Sequence, residues 1–181
     1  MGLDMRIIEF VHGSMQSSLL DKVMPFVSRL GNGGLIWIGI AVLLMAGRRY
    51  RQAGFMVICA LMLGAVMGEL LLKNIFQRMR PFVNAPHFQL LIRTPLTRYS
   101  FPSGHTTSSF AAAGIIFRTV DSKLIKGFVL FVACSIAFSR LYLLVHYPTD
   151  ILGGIGLGLL SSYIVYRWFL HGAKNRGAKT R

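Results

Sequence analysis

The sequence predicts an all-α protein, a polytopic bundle of transmembrane helices. Three observations carry that prediction. Of 181 residues, 54% are hydrophobic and 14% are charged, where an average soluble domain is roughly 25% charged. Apolar stretches long enough to approach a bilayer crossing recur along the chain. Basic residues gather between alternate stretches, as they do in cytoplasmic loops.

A chain so poor in charge lacks the polar surface of a soluble globule, and its apolar content excludes intrinsic disorder. The net charge is +14, from 20 Lys and Arg against 6 Asp and Glu. A nucleic-acid partner is not expected, because DNA-binding domains do not carry this much apolar sequence. Positive loops on a membrane protein, or a site for an anionic substrate, account for the excess. Cys59 and Cys134 each sit inside an apolar run and read as small buried hydrophobes rather than metal ligands or a disulfide. The first residues lack a basic segment followed by an apolar one, so no cleavable signal peptide is expected.

Within residues 1–31, Leu19, Leu20, Val23, Met24, Val27 and Leu30 recur at helical spacing, and Ile7, Ile8 and Val11 form a shorter stripe. Two amphipathic helices are expected, lying at the membrane interface or packed on the bundle. Ser18 and Asp21 have capping-box spacing, Gly31 is a natural stop, and Pro25 should kink the second helix. Asp4, Arg6, Glu9, Asp21, Lys22 and Arg29 argue against a further span here. About five spans follow: residues 33–46, 53–72, 103–117, 124–145 and 151–170. The first and third are short. Residues 1–171 read as one membrane domain, and 172–181 as a basic cytoplasmic tail.

Arg48, Arg49 and Arg51 follow the first span, Arg118, Lys123 and Lys126 the third, and Lys174, Arg176, Lys179 and Arg181 close the chain. Those connections are placed in the cytoplasm, so residues 73–102 and 146–150 face outward together. Lys73, Arg78, Arg80, Arg93 and Arg98 break the rule. Charge held at membrane level against the rule implies a function.

Three polar clusters stand on that outer side. Lys73 and Arg80 are seven apart and would share one face of a helix that Pro81 ends, with an anion between the two cations. Snorkelling at the interface is the plainer reading of this cluster alone. Pro102-Ser103-Gly104-His105 reads as a turn into a helix, with Ser103 as N-cap and Gly104 allowing close backbone approach. Backbone N–H groups at such a helix start attract anions. Ser139-Arg140 precedes His146 and Asp150, which are four apart. Asp150 could hold one ring nitrogen of His146 and leave the other as nucleophile or base. A helix-start acid that suits the dipole is the alternative for Asp150.

Taken together, Lys73…Arg80-Pro81, Pro102-Ser103-Gly104-His105 and Ser139-Arg140…His146…Asp150 resemble the type 2 phosphatidic acid phosphatase (PAP2) superfamily of lipid phosphatases and vanadium haloperoxidases, in its compact bacterial form. The family pattern, Lys-x6-Arg-Pro, Pro-Ser-Gly-His and Ser-Arg-x5-His-x3-Asp, matches at every spacing. The resemblance implies that His146 attacks phosphorus to form a phosphohistidine, that Asp150 orients it, and that His105 protonates the leaving oxygen and then activates water. It implies that Lys73, Arg80 and Arg140 hold the phosphoryl oxygens with the Ser103 hydroxyl and the Gly104 N–H. It implies no metal and no cofactor. Glu69, one turn before Lys73, is expected to pair with it in a supporting role, the alternative being a contact with the N-terminal helices.

The expected enzyme is an integral-membrane lipid phosphatase of the bacterial inner membrane. Its active site would face outward and its substrate would be a lipid phosphate such as undecaprenyl diphosphate or phosphatidylglycerol phosphate. A phosphotransferase using the same histidine, or a non-enzymatic lipid-binding protein, are the alternatives; the spans argue against a haloperoxidase. His12, His87 and His171 match no motif and read as surface or interface residues. Arg78, Arg93 and Arg98 read as lipid head-group contacts. The glycines around Gly154-x3-Gly158 read as tight packing within the bundle.

Overall fold

The computed structural model describes residues 2–84, 90–92 and 98–178, with side chains described to Gly172. His87, Arg93 and most of the basic tail lie outside the described side chains. The helices are α1 (Leu3–Met15), α2 (Ser18–Leu30), α3 (Leu35–Ala46), α4 (Arg51–Ala65), α5 (Lys73–Phe76), α6 (Pro81–Asn84), α7 (Gly104–Thr119), α8 (Lys123–Tyr142) and α9 (Pro148–Ala178). Among the described residues, the only strand-like pairing is one antiparallel bridge between Met79 and Tyr99.

Among the described residues, three helices are long and apolar enough to cross a membrane: Arg51–Phe76, Lys123–Tyr142 and Pro148–Gly172. The first is α4 continued through a π-helical turn, Val66–Leu72, into α5. The other two expected spans are the short helices. Helix α3, at 12 residues, is about 18 Å long. Together with α2 it passes the same test as a pair bent by 46°. Helix α7 has 16 residues and is buried from Thr106 to Ile116 apart from a partly exposed Ser108. It is the central post of the bundle, enclosed by α4, α8 and α9. Protein rather than lipid surrounds it, which suits its small and polar residues.

Small side chains let α7 and α9 touch through their backbones. A Cβ on Gly154 would stand 2.8 Å from the Ser103 carbonyl, and one on Gly158 2.5 Å from that of Thr107. The glycine stripe of α9 is therefore packing within the bundle, as expected. Trp37 Nε1 donates to Ser109 Oγ at 3.0 Å and ties α3 to the same post.

The N-terminal helices pack on the bundle. Ile8 is buried with Leu144 and Tyr147, and Val11 with Tyr142, Leu143 and Val145. Four local expectations change. The N-cap of α2 is Ser17, whose Oγ accepts from Leu20 N at 3.3 Å. Asp21 instead accepts from Tyr142 Oη at 2.5 Å, so the Ser18–Asp21 box does not form. Helix α2 continues past Pro25, which forfeits only its bond to the Asp21 carbonyl. A 46° bend follows α2, between Leu30 and Asn32, and Gly33 and Gly34 beyond it take φ of +58° and +70°, which suits residues without a Cβ. His12 is not a surface residue: it lies on the inward face of α1, 4% exposed, with its ring 6.1 Å from that of Tyr142.

Candidate active site

The π-helical turn delivers the first cation. Widened turns of this kind displace side chains from the regular helical register. Glu69 lies within it and Lys73 just after, with Lys73 Nζ 2.7 Å from each Glu69 carboxylate oxygen. That pairing agrees with the expectation for Glu69.

Arg80 arrives differently from the expectation. It does not share a helix with Lys73. Helix α5 stops at Phe76, Gln77 turns left-handed at φ +45°, and the chain doubles back. Pro81 opens α6 rather than ending a helix, since a residue with no N–H fits a first turn. The reversal buries Arg80 to 3% exposure. Its Nη1 donates to the Val145 carbonyl at 2.9 Å and lies 3.4 Å from His146 Nε2.

Ser103 caps α7 as expected, with its Oγ accepting from Thr106 N at 3.5 Å and from Thr106 Oγ1 at 2.9 Å. It is fully buried and does not line the cavity described below. Gly104 does line it. A Cβ there would sit 2.5 Å from Glu69 Oε1, so only glycine admits the carboxylate this close. His105 follows, with Nε2 2.9 Å from Asn32 Oδ1.

The third cluster is set by a tight turn. The N–H groups of Val145 and His146 both point to the Arg140 carbonyl at 3.3 Å, and Leu144 takes a φ of +57°. Bulky residues rarely adopt that conformation, so the packing of Leu144 against Ile8 and Tyr147 holds it. The turn aims His146, 2% exposed, at the cavity from beside Arg140. His146 Nδ1 is 3.6 Å from Asp150 Oδ2. Asp150 stands behind the histidine, fully buried, and its Oδ2 accepts from Tyr147 N at 2.8 Å, while His146 Nδ1 is beyond hydrogen-bond distance. Burial above all, and then the guanidiniums of Arg140 and Arg80, push His146 down to about 3, although Asp150 pulls the other way. The ring is therefore neutral at physiological pH, with an electron pair to offer.

Arg140 donates through Nη1 to Ser28 Oγ, while its buried Nε has no hydrogen-bond partner among the described residues. A buried guanidinium with an unused donor suits an anion. Glu69, Lys73, Arg80, His105, Arg140 and His146 share one cavity of about 470 Å³. Gly31, Gly34, Ile38, Leu61, Gly64 and Ala65 line the same cavity. Among the described residues, no group of three His, Cys, Asp or Glu side chains is placed to hold a metal ion.

Arg78 is not a free lipid contact. Its Nη1 donates to Asp150 Oδ1 at 2.8 Å, its Nη2 to Asp4 Oδ2 at 2.5 Å, and its guanidinium lies 3.9 Å from the centroid of the Tyr147 ring. Arg98 is exposed. Residues 31, 32 and 4 also reach the site or its support. No local pattern marks them, because their partners are more than 70 residues away.

A family model of the PAP2 superfamily matches residues 50–172. The chain belongs to the PAP2 superfamily. It is 30% identical over 150 residues to the undecaprenyl-diphosphatase of Sulfolobus acidocaldarius, covering 82% of this chain and 70% of that one. It is 29% identical over 157 residues to phosphatidylglycerophosphatase B of Bacillus subtilis, covering 81% and 73%. The crystal structure of Aquifex aeolicus LpxE matches this PAP2 fold with a TM-score of 0.80 at 26% identity, over 92% of this chain and 96% of that one.

Proposed function

We propose that this PAP2-type membrane phosphatase hydrolyses a lipid phosphate or diphosphate through a phosphohistidine on His146, without a metal ion. The observation that carries the reading is the single cavity lined by two histidines and three cations together with Ile38, Leu61 and Ala65. PAP2 relatives named for undecaprenyl diphosphate and phosphatidylglycerol phosphate make those two lipids the leading substrates.

In this reading Lys73, Arg80 and Arg140 clamp the phosphoryl oxygens and stabilise the charge that spreads over them in the transition state. Gly104 lets the chain approach the phosphate closely. Ser103 contributes by starting α7, since its own hydroxyl is engaged with Thr106. The His146 Nε2 lone pair attacks phosphorus as the bond to the lipid oxygen breaks. His105 gives that oxygen its proton. Asp150 holds Nδ1–H and balances the charge that grows on the ring. Neutral His105 then takes a proton from water, the water oxygen attacks phosphorus, and the P–N bond breaks. Inorganic phosphate leaves, and both histidines return to their starting states.

The membrane placement follows from charge. The Arg49–Asp121 pair joins the α3–α4 and α7–α8 turns, so both basic connections lie at one end of the bundle. The positive-inside rule puts that end and the C-terminus in the cytoplasm of a bacterial inner membrane, with the cavity facing outward.

Phosphate release by purified protein in detergent tests this function. Undecaprenyl diphosphate, phosphatidylglycerol phosphate and phosphatidic acid are compared with EDTA present and with His146→Ala alongside. Release from one lipid that resists EDTA and disappears in the variant supports the reading. Folded wild-type protein that releases phosphate from none of them overturns hydrolysis of these lipids, and release that EDTA abolishes overturns the metal-free mechanism.

A further inference from the structure

Asp4 lies on the first turn of α1, outside the region that carries the motifs. Its Oδ2 accepts from Arg78 Nη2 at 2.5 Å and from Thr149 Oγ1 at 2.6 Å, and its Oδ1 accepts from Thr149 N at 3.2 Å. Arg78 is thus forked between two carboxylates, Asp4 on one arm and Asp150 on the other. Burial would lower the Arg78 guanidinium, but the two acids outweigh it and hold it above its usual range. Asp150 in turn faces His146. The chain Asp4–Arg78–Asp150–His146 runs from the N-terminal helix to the cavity.

The geometry points to Asp4 as a positioning residue for the reaction: by occupying one arm of Arg78, it limits how far that cation neutralises Asp150, and so leaves Asp150 negative enough to support His146. This rests on the proposed nucleophilic role of His146. A guanidinium shared by two carboxylates pulls less on each. With Asp4 neutral, Arg78 bears on Asp150 alone, and the developing positive charge on the His146 ring is less well balanced. With Arg78 neutral, Asp150 serves His146 alone, and that charge is better balanced. The two substitutions therefore act with opposite sign, which simple anchoring of α1 does not predict. The other charged or titratable groups near His146 are Arg80 on the reversal before α6, Arg140 of α8, His105 of α7, and Lys73 and Glu69 of the widened helix. The substitutions leave all of them unchanged.

The test compares Asp4→Asn, Asp4→Glu and Arg78→Gln with wild type in detergent. The primary readout is the titration of the His146 ring by 15N NMR in saturating inorganic phosphate, assigned against His146→Asn. The second is the pH dependence of kcat. In Asp4→Asn the ring titration and the acid limb of kcat move to lower pH, by roughly half a unit. Here kcat falls about tenfold with KM little changed, as expected for a reacting group held slightly wrong. Asp4→Glu restores wild-type behaviour. In Arg78→Gln the titration moves to higher pH. A titration unmoved in both neutral variants, or moved the same way in both, overturns the proposal. So does a loss of thermal stability in Asp4→Asn with no change in the ring. The NMR readout needs no turnover, so wild-type protein inactive on every lipid tried refutes the phosphatase reading while the Asp4 result still stands or falls by itself.

Discussion

Gly31 and His105 pack so closely that a Cβ on the glycine would stand 2.8 Å from His105 Cδ2. The same Cβ would stand 2.9 Å from Ile136 Cγ2. The bend after α2 therefore forms one wall of the position His105 occupies, and the neighbouring Asn32 holds its Nε2. Gly31→Ala must displace the ring. With His105 in its proposed role of proton donor, we expect kcat to fall at least tenfold while KM changes little, because a small misplacement of the ring is expensive. Gly39→Ala, at a glycine with open space around it, should leave both constants unchanged. Steady-state kinetics of the two variants decides the matter, and a fully active Gly31→Ala would refute the wall.

Lys73 and Glu69 form a charge pair inside the cavity. Removing the lysine alone leaves a carboxylate facing the incoming phosphate, and an uncompensated partly buried charge is costly. Lys73→Ala should lose at least ~100-fold in kcat/KM, whereas Lys73→Ala/Glu69→Gln should recover about tenfold of that loss. A double-mutant cycle measures the coupling directly. A double variant no better than the single one would mean that Glu69 does not repel the substrate.

Gly158 and Gly156 sit on the same helix in opposite surroundings. A Cβ on Gly158 meets the Thr107 carbonyl at 2.5 Å and Ala111 N at 2.8 Å, both backbone atoms that cannot step aside. Gly156 meets nothing within 4 Å. Gly158→Ala should destabilise by about 1–3 kcal/mol or more, and Gly156→Ala should be neutral or stabilising by up to ~1 kcal/mol. Thermal unfolding in detergent tests both, and equal effects would contradict the packing of α7 on α9.

His146 connects pH to stability. Its folded-state value of about 3 lies below the ordinary 6.5. A histidine depressed on folding contributes stability above its unfolded value, and that contribution is lost as pH falls from about 6.5 toward 3. His12, also lowered by burial against the pull of Asp21, acts with the same sign. The melting temperature should fall through this range, and less steeply in His146→Ala than in wild type. An unchanged slope in the variant would mean that His146 is not the neutral, buried ring described above.

Most of the bundle could be read from composition and runs, because burial in lipid demands apolar residues whatever the tertiary arrangement. The site residues were legible for a related reason. They fall in three short local patterns whose residues line or support one cavity. Local geometry was less legible. The seven-residue spacing of Lys73 and Arg80 looks helical, yet a left-handed Gln77 and a chain reversal bring the two together. Spacing records which residues meet the ligand, and says nothing about the path the backbone takes between them. Ser17 displaced Ser18 as cap in the same way, because Tyr142, far along the chain, captured Asp21.

By itself, the sequence determined the membrane class, the family and most of the residues that meet at one cavity, since each depends on residue type at short range. Only the tertiary structure decided that Arg78 braces the site rather than greets lipid, that the N-terminal helices supply Asp4 and the Gly31–Asn32 wall, and that α7 is a buried post. Those are contacts between residues far apart in the chain, 74 positions for Asp4 and Arg78, 73 for Asn32 and His105 and 51 for Thr107 and Gly158. Their geometry exists only after the chain has closed on itself, so no short pattern encodes them.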